Sequence, residues 1–178
     1  MDEITRRMLI NDDKIAEGYF PRKYKCSQGV WTIGYGRAET NGLRDFEKEM
    51  LNVSSYRELS YLDENEATIL LENDIDYFET LVANEFDFYY KLPQFAKYVL
   101  TDCAFNMGMT RLRKFKGMLN AIENNDWFNA CKECIDSKYF SQVRRRSLRN
   151  ALILITGDIN IGVEQCDEVY NILKKRIK

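Results

Sequence analysis

The feature that most restricts how this chain can fold is a helical segment opening at residue 63 and running to about residue 88. Asp63 and Glu66 are spaced as a capping box, in which two side chains satisfy each other's orphan backbone donors at a helix start. So long a helix divides the chain. The pattern before it is mixed, and the pattern after it is helical throughout. Two prolines and nine glycines in 178 residues also favour helices over a sandwich of many short strands.

Residues 3–16 read as a helix with Ile4, Met8 and Ile15 on a common face. From residue 22 the pattern changes. Arg22 to Cys26, a Ser-Gln-Gly turn and Val30 to Tyr35 predict a β-hairpin over about 22–36. Gly34 and Gly36 inside that run point to a bulge or a close backbone approach. After Pro93, the residues Phe95, Val99, Cys103 and Met107 step by four along a helix that Gly108 ends. Further helices are expected at 115–123, 126–136, 143–155 and 162–177, the last carrying Val163, Cys166, Tyr170, Leu173 and Ile177 at helical spacing. The expected class is α+β, mostly helical. A single domain is predicted, with a small lobe (1–62) containing the hairpin, a connecting helix (63–88) and a helical lobe (89–178). A cleft between two such lobes is where a ligand would be sought.

Charge and residue counts exclude several functions. A net charge of −2 and a pI of about 5.4 argue against nucleic-acid binding, which needs a basic face. The basic clusters Arg111–Lys116 and Arg144–Arg149 leave two readings open, a local face for an anionic polymer or solvated helix surface. The longest apolar run, Ala151–Ile155, is far too short for membrane insertion, and no signal-peptide pattern opens the chain. Synthesis in the cytosol without self-directed export is therefore expected. Five cysteines are an odd set for a disulfide framework. Cys131 and Cys134 lie on a helical apolar stripe with Trp127, Ala130 and Ile135, so they read as buried structural residues. Cys103 and Cys166 sit on similar stripes. The absence of histidine removes Ser-His and Cys-His catalysis and imidazole-based metal sites. Any catalysis must use carboxylates, thiols, hydroxyls or cations.

One stretch carries such groups together. Glu17-Gly is followed, after eight intervening residues, by Cys26, and after five more by Thr32, which opens the run Thr-Ile-Gly-Tyr-Gly ending at Gly36. In this stretch the chain resembles glycoside hydrolase family 24, the phage-type lysozymes. There a Glu-Gly at a helix end precedes an Asp, or sometimes a Cys, and then the Thr of a T-I-G-x-G run at this spacing. The resemblance continues through Asn73 to Asp76, Phe105-Asn-Met-Gly108, Phe115 and Trp127, residues 137–142, and the arginine-rich start at Val143 to Arg146. Thr156-Gly157 falls where many members nearly end, so the last twenty or so residues resemble an extension. Two departures stand out: Cys26 replaces the commoner Asp, and Arg37 stands where many members have His.

The resemblance implies a lysozyme-like two-lobed fold and a cofactor-free monomer that acts on peptidoglycan. It implies cleavage between N-acetylmuramic acid and N-acetylglucosamine, with Glu17, Cys26 and Thr32 as the catalytic set. Ala38, Phe105, Met118 and Glu133 are the implied sugar contacts. Chemistry supports these residue types. Glycoside cleavage needs a proton for the leaving oxygen and an opposing group to stabilise or capture the cationic sugar. Glu17 is the natural proton donor. Cys26 offers a thiolate, aided by a cation such as Lys25 or Arg146, or helps place the attacking group. Thr32 offers a hydroxyl to position water. The runner-up is a noncatalytic peptidoglycan-binding or virion structural protein. A thiol peptidase or amidase using Cys26 would lack the histidine it needs. The family pattern also predicts an Arg37–Asp74 ion pair, with Asp74 stabilised as an anion and its contribution lost on acidification.

Overall fold

The computed structural model describes residues 1–27, 29–136 and 144–161. The helix expected at 162–177, with Cys166, and the segment 137–142 lie outside the described residues. The protein is mostly helical with one small antiparallel sheet, the α+β class that the sequence predicts. It divides into two compact units, Leu9–Tyr77 and Met1–Met8 with Phe78–Lys178. The eight N-terminal residues thus group with the helical unit rather than with the hairpin. Within that unit the backbone N–H of Asp2 donates to the Gln94 side chain at 2.8 Å. The boundary falls inside a helix, between Tyr77 and Phe78.

The Leu9–Tyr77 unit begins within α1 (Glu3–Glu17). The face of this helix differs from expectation. Ile4 and Ile15 are 73% and 80% exposed, whereas Thr5, Leu9 and Asp13 are buried, an i, i+4, i+8 row that includes two polar residues. Hydrophobicity alone therefore misplaced the buried stripe. Strands β1 (Phe20–Lys25), β2 (Trp31–Gly34) and β3 (Arg37–Ala38) form an antiparallel sheet in that order. The first two are the predicted hairpin. The third strand was not foreseen, because two residues carry no periodicity. Tyr24 pairs with Thr32 and Thr32 with Ala38, so these three lie in one row across the sheet. Gly34 packs closely on the long helix that starts at Glu64, where an added Cβ would stand 3.1 Å from that of Ala67.

Helix α2 (Asp45–Leu51) was also missed, for a clear reason: it is inverted. Phe46 and Met50 face solvent while Glu47 is fully buried. The long helix α3 (Glu64–Glu85) opens with the predicted capping box. Asp63 Oδ1 accepts from the N–H of Glu66, and Glu66 Oε2 accepts from the N–H of Asp63, both at 2.8 Å. The helix ends at Glu85, three residues earlier than expected, and a 3-10 segment (Asp87–Lys91) follows. Its buried positions Ala67, Leu70, Leu71, Asp74 and Ile75 follow helical spacing.

The second unit is built on α4 (Gln94–Met107), α5 (Met109–Leu112), α6 (Lys116–Glu123), α7 (Trp127–Ile135) and α8 (Arg144–Thr156). Helix α4 is buried continuously from Tyr98 to Ala104, and in α8 the residues Ala151 to Leu154 are fully buried. Helices apolar on every side belong at the centre of a core. Cys103, Cys131 and Cys134 are buried among them, as their stripes predict. No helix among the described residues is long and apolar enough to cross a membrane.

Candidate active site

Glu17 is the last residue of α1. The chain then turns through Gly18, whose N–H donates to the Lys14 carbonyl at 3.0 Å with φ +71°. The half-buried Glu17 side chain lies against Gly36 in the β2–β3 turn. A Cβ on Gly36 would sit 3.0 Å from Glu17 Oε2 and 3.3 Å from its Cδ. Gly36 therefore makes room for the carboxylate, and its φ of +86° sets the turn. Beside it, the Tyr35 hydroxyl donates to Glu64 Oε1 at 2.9 Å, which ties the turn to the start of α3. Burial and that bond push the Tyr35 phenol up to about 12.

Cys26 and Thr32 stand on the two sides of the β1–β2 turn. The Cys26 N–H donates to the Val30 carbonyl at 2.9 Å, and the Cys26 carbonyl accepts from Gly29 N–H at 2.8 Å. Thr32 is buried, and its hydroxyl donates to the Val30 carbonyl at 3.2 Å. The oxygen keeps lone pairs for a water donor. Sequence reasoning did not single out Tyr24, which connects these groups. It pairs with Thr32 across the strands, and its phenol is pushed up by burial and then by the negative charges of Glu17 and Cys26. Both groups act on the phenol electrostatically, and Thr32 is its cross-strand neighbour. Strand pairing was the available signal, since a hairpin through the Ser-Gln-Gly turn sets Tyr24 opposite Thr32. Ala38 completes the row beside Thr32.

Arg37 lies behind β3 in a buried ionic cluster. It meets Asp74 at 3.1 Å, as the sequence predicts, and also Glu47 at 2.5 Å. Arg44 reaches the same two carboxylates at 3.1 and 2.6 Å, and Asn73 donates to Glu47 at 3.1 Å. The expected charge behaviour of Asp74 needs correction. Burial dominates and pushes its carboxyl above the ordinary value, although Arg37 and Arg44 pull it down. Burial also pushes Glu47 up, but the Arg44 backbone amide with Arg37 and the Arg44 side chain outweigh it and hold Glu47 below the ordinary value.

Phe105, Met118 and Glu133 belong to the other unit. Phe105 is half-buried, edge-on to Phe78 at 5.9 Å, with the Arg146 guanidinium 5.5 Å from its ring centre. Met118 is 1% exposed; a side chain packed into the core has no surface to offer a sugar, which corrects the sequence expectation. Glu133 is exposed, and its carboxylate lies directly over Gly117. In the Arg144–Arg149 cluster, Arg145 is exposed while Arg146 and Arg149 are engaged within the protein. Arg146 is paired with buried Asp102 at 2.7 Å, and buried Arg149 donates to the carbonyls of Ile161 and Ile159 at 2.9 and 3.0 Å. In the first cluster, Arg113 forms an exposed ion pair with Glu85. Lys25, a suggested helper for Cys26, has its ammonium 5.3 Å from the Trp31 ring centre. Among the described residues, no group of three or more Cys, Asp and Glu side chains could hold a metal ion.

The phage lysozyme family model matches residues 14–150, a span that contains every candidate site residue. The chain is 28% identical over 159 residues to the pre-baseplate central spike protein Gp5 of Enterobacteria phage T4, covering 83% of this chain and 28% of that protein. It is 26% identical over 159 residues to probable T4-type lysozyme 1 of Dictyostelium discoideum, covering 83% of this chain and 93% of the relative. Probable T4-type lysozyme 2 of the same organism is 28% identical over 160 residues, covering 82% and 92%.

Proposed function

The chain belongs to the phage lysozyme family, and from that premise we propose that it is a muramidase. In this reading it hydrolyses the β-1,4 bond between N-acetylmuramic acid and N-acetylglucosamine in peptidoglycan. The observation that carries the proposal is the Glu17 carboxylate seated on Gly36, at the end of the short run that Thr32 opens. Glu17 donates its proton to the leaving glycosidic oxygen as the bond to the muramic acid carbon breaks. Cys26 faces the developing cation as a thiolate or orients the attacking group. Thr32 accepts a hydrogen bond from the water whose oxygen completes the new reducing end. Ala38, Phe105 and Glu133 remain proposed sugar contacts, and the enzyme works as a cofactor-free monomer.

Two places of action fit such an enzyme. One is lysis from the host cytoplasm after release through a holin-type pore. The other is delivery within a phage particle, favoured by the likeness to a baseplate spike protein, of which this chain spans 28%. Digestion of purified peptidoglycan tests the chemistry. Reducing muramic acid ends are expected, whereas anhydro ends would identify a lytic transglycosylase and overturn the hydrolytic assignment. Glu17→Gln keeps the side-chain shape and removes the proton, so lysis should fall at least a thousandfold with the melting temperature nearly unchanged. Retention of wild-type rates would end the acid assignment.

A further inference from the structure

The first unit has a shallow, open depression that the proposed chemistry does not use. It measures about 570 Å³ and is lined by Arg22, Lys23, Trp31, Glu39, Arg57 and Ser60, among others. These lining groups carry three positive charges against one negative, on a chain whose net charge is −2. Lys25 adds another cation, 5.3 Å from the Trp31 ring centre. The indole is 43% exposed. Trp31 and Thr32 are neighbours on β2, and strand alternation directs them to opposite faces of the sheet. Lys25 pairs with Trp31 and Tyr24 with Thr32, so the indole lies on the face opposite Thr32. The register shift between Phe20 and Tyr24 lets the successive residues Arg22 and Lys23 both line the surface.

The site is organised from behind. Lys23 Nζ donates to the carbonyls of Tyr56 and Arg57 at 2.7 and 3.0 Å, which fixes the segment carrying Arg57 against β1. The buried Tyr56 hydroxyl donates to the Trp31 carbonyl at 3.1 Å, which holds that strand to the same segment. Arg57 itself is 89% exposed, and the Glu39 carboxylate stands 3.6 Å from it. So loose and solvated a pair is readily exchanged for a ligand carboxylate. The Arg22 guanidinium lies 5.8 Å from the Tyr61 ring centre at the surface.

We propose that this surface is a second glycan-binding site, which seats a sugar of a peptidoglycan strand on Trp31 and a peptide-stem carboxylate on Arg22 and Arg57. Rings stack on indole, and guanidinium forks match carboxylates. The inference rests on the muramidase reading for its ligand. Its role is retention: an enzyme held to an insoluble polymer at a second point meets the next bond at high effective concentration.

The test uses the full chain with Glu17→Gln, so that binding is read without cleavage, and purified sacculi stripped of phosphate polymers. In this background R22E/R57E should raise the half-saturating sacculus concentration about tenfold at low salt, a difference that shrinks at high salt. R22K/R57K should retain most of the binding. Circular dichroism and melting temperature check the fold of each variant. Separately, W127F leaves Trp31 as the sole tryptophan. Soluble strands bearing peptide stems should then shift its emission saturably, and neutral strands of equal length more weakly. Unchanged sacculus binding by a folded R22E/R57E, or unmoved Trp31 emission at saturating strand, overturns the proposal. Binding confined to sacculi that still carry phosphate polymer overturns it too and assigns the surface to that phosphate. If the wild type releases no reducing ends while the Trp31 response persists, the muramidase reading fails and the binding site stands.

Discussion

Gly36 shows how one missing side chain can serve a site. Its φ of +86° lies where an L-residue is strained, and a Cβ would press on the Glu17 carboxylate. Gly36→Ala should cost about 1–2 kcal/mol of stability and move the carboxylate. Lysis should therefore fall by more than the stability loss explains, as unfolding midpoints and lytic rates measured side by side will show. Gly117→Ala makes a contrast, because Gly117 lies in helix α6 without a left-handed φ, and its intruding methyl meets the end of the exposed Glu133 side chain. At Cys26 the comparison is chemical. Cys103, Cys131 and Cys134 are buried, and burial pushes their thiols up, to about 12 for Cys131. Cys26, half-buried, is the most accessible described cysteine. Cys26→Asp should stay active and Cys26→Ala should lose most activity. Alkylation should inhibit the wild type but spare Cys26→Asp; equal inhibition of both would place the sensitive thiol elsewhere.

At the scale of elements, the Arg37 cluster clamps β3, α2 and α3 together through four charged groups. Removing one partner of a buried pair strands the other, so Arg37→Met should cost about 3–5 kcal/mol by chemical denaturation. The two acids respond to pH in opposite senses. The raised Asp74 contributes stability that is complete below its unfolded value, about 3.9, and is lost as pH rises through the folded value. The lowered Glu47 contributes stability present above about 4.3 and lost as pH falls through its folded value. Measured against the wild type as pH rises from acid to neutral, Asp74→Asn should gain relative stability and Glu47→Gln should lose it. Parallel slopes would show that the cluster titrates as a unit instead. Only the Arg37–Asp74 half was legible in the sequence. Glu47 is buried on a helix whose apolar residues face outward, so every hydrophobicity rule points away from it.

Across the whole molecule, the features read correctly were those set by near neighbours in sequence. The Asp63–Glu66 cap, the Gly108 stop and the hairpin turn each depend on a few adjacent residues. The helix-end position of Glu17 and the strand position of Thr32 were legible for the same reason, since the two are one short excursion apart. Features set by distant partners were not: the inward face of α1, the inverted α2, the burial of Met118 and the inward turn of Arg149. The unit boundary belongs with these, because nothing between residues 1 and 16 signals which contacts lie beyond residue 78. The grouping of Met1–Met8 with the later helices has a consequence in time. During synthesis these residues emerge before Leu9–Tyr77, yet the side chain that receives the Asp2 N–H is made 92 residues after Asp2. Leu9–Tyr77 is contiguous and can close on itself while the leading eight residues wait for their partners. On the ribosome, protection of Leu9–Tyr77 amides from hydrogen exchange should precede that of the opening turns of α1, although those turns were made earlier.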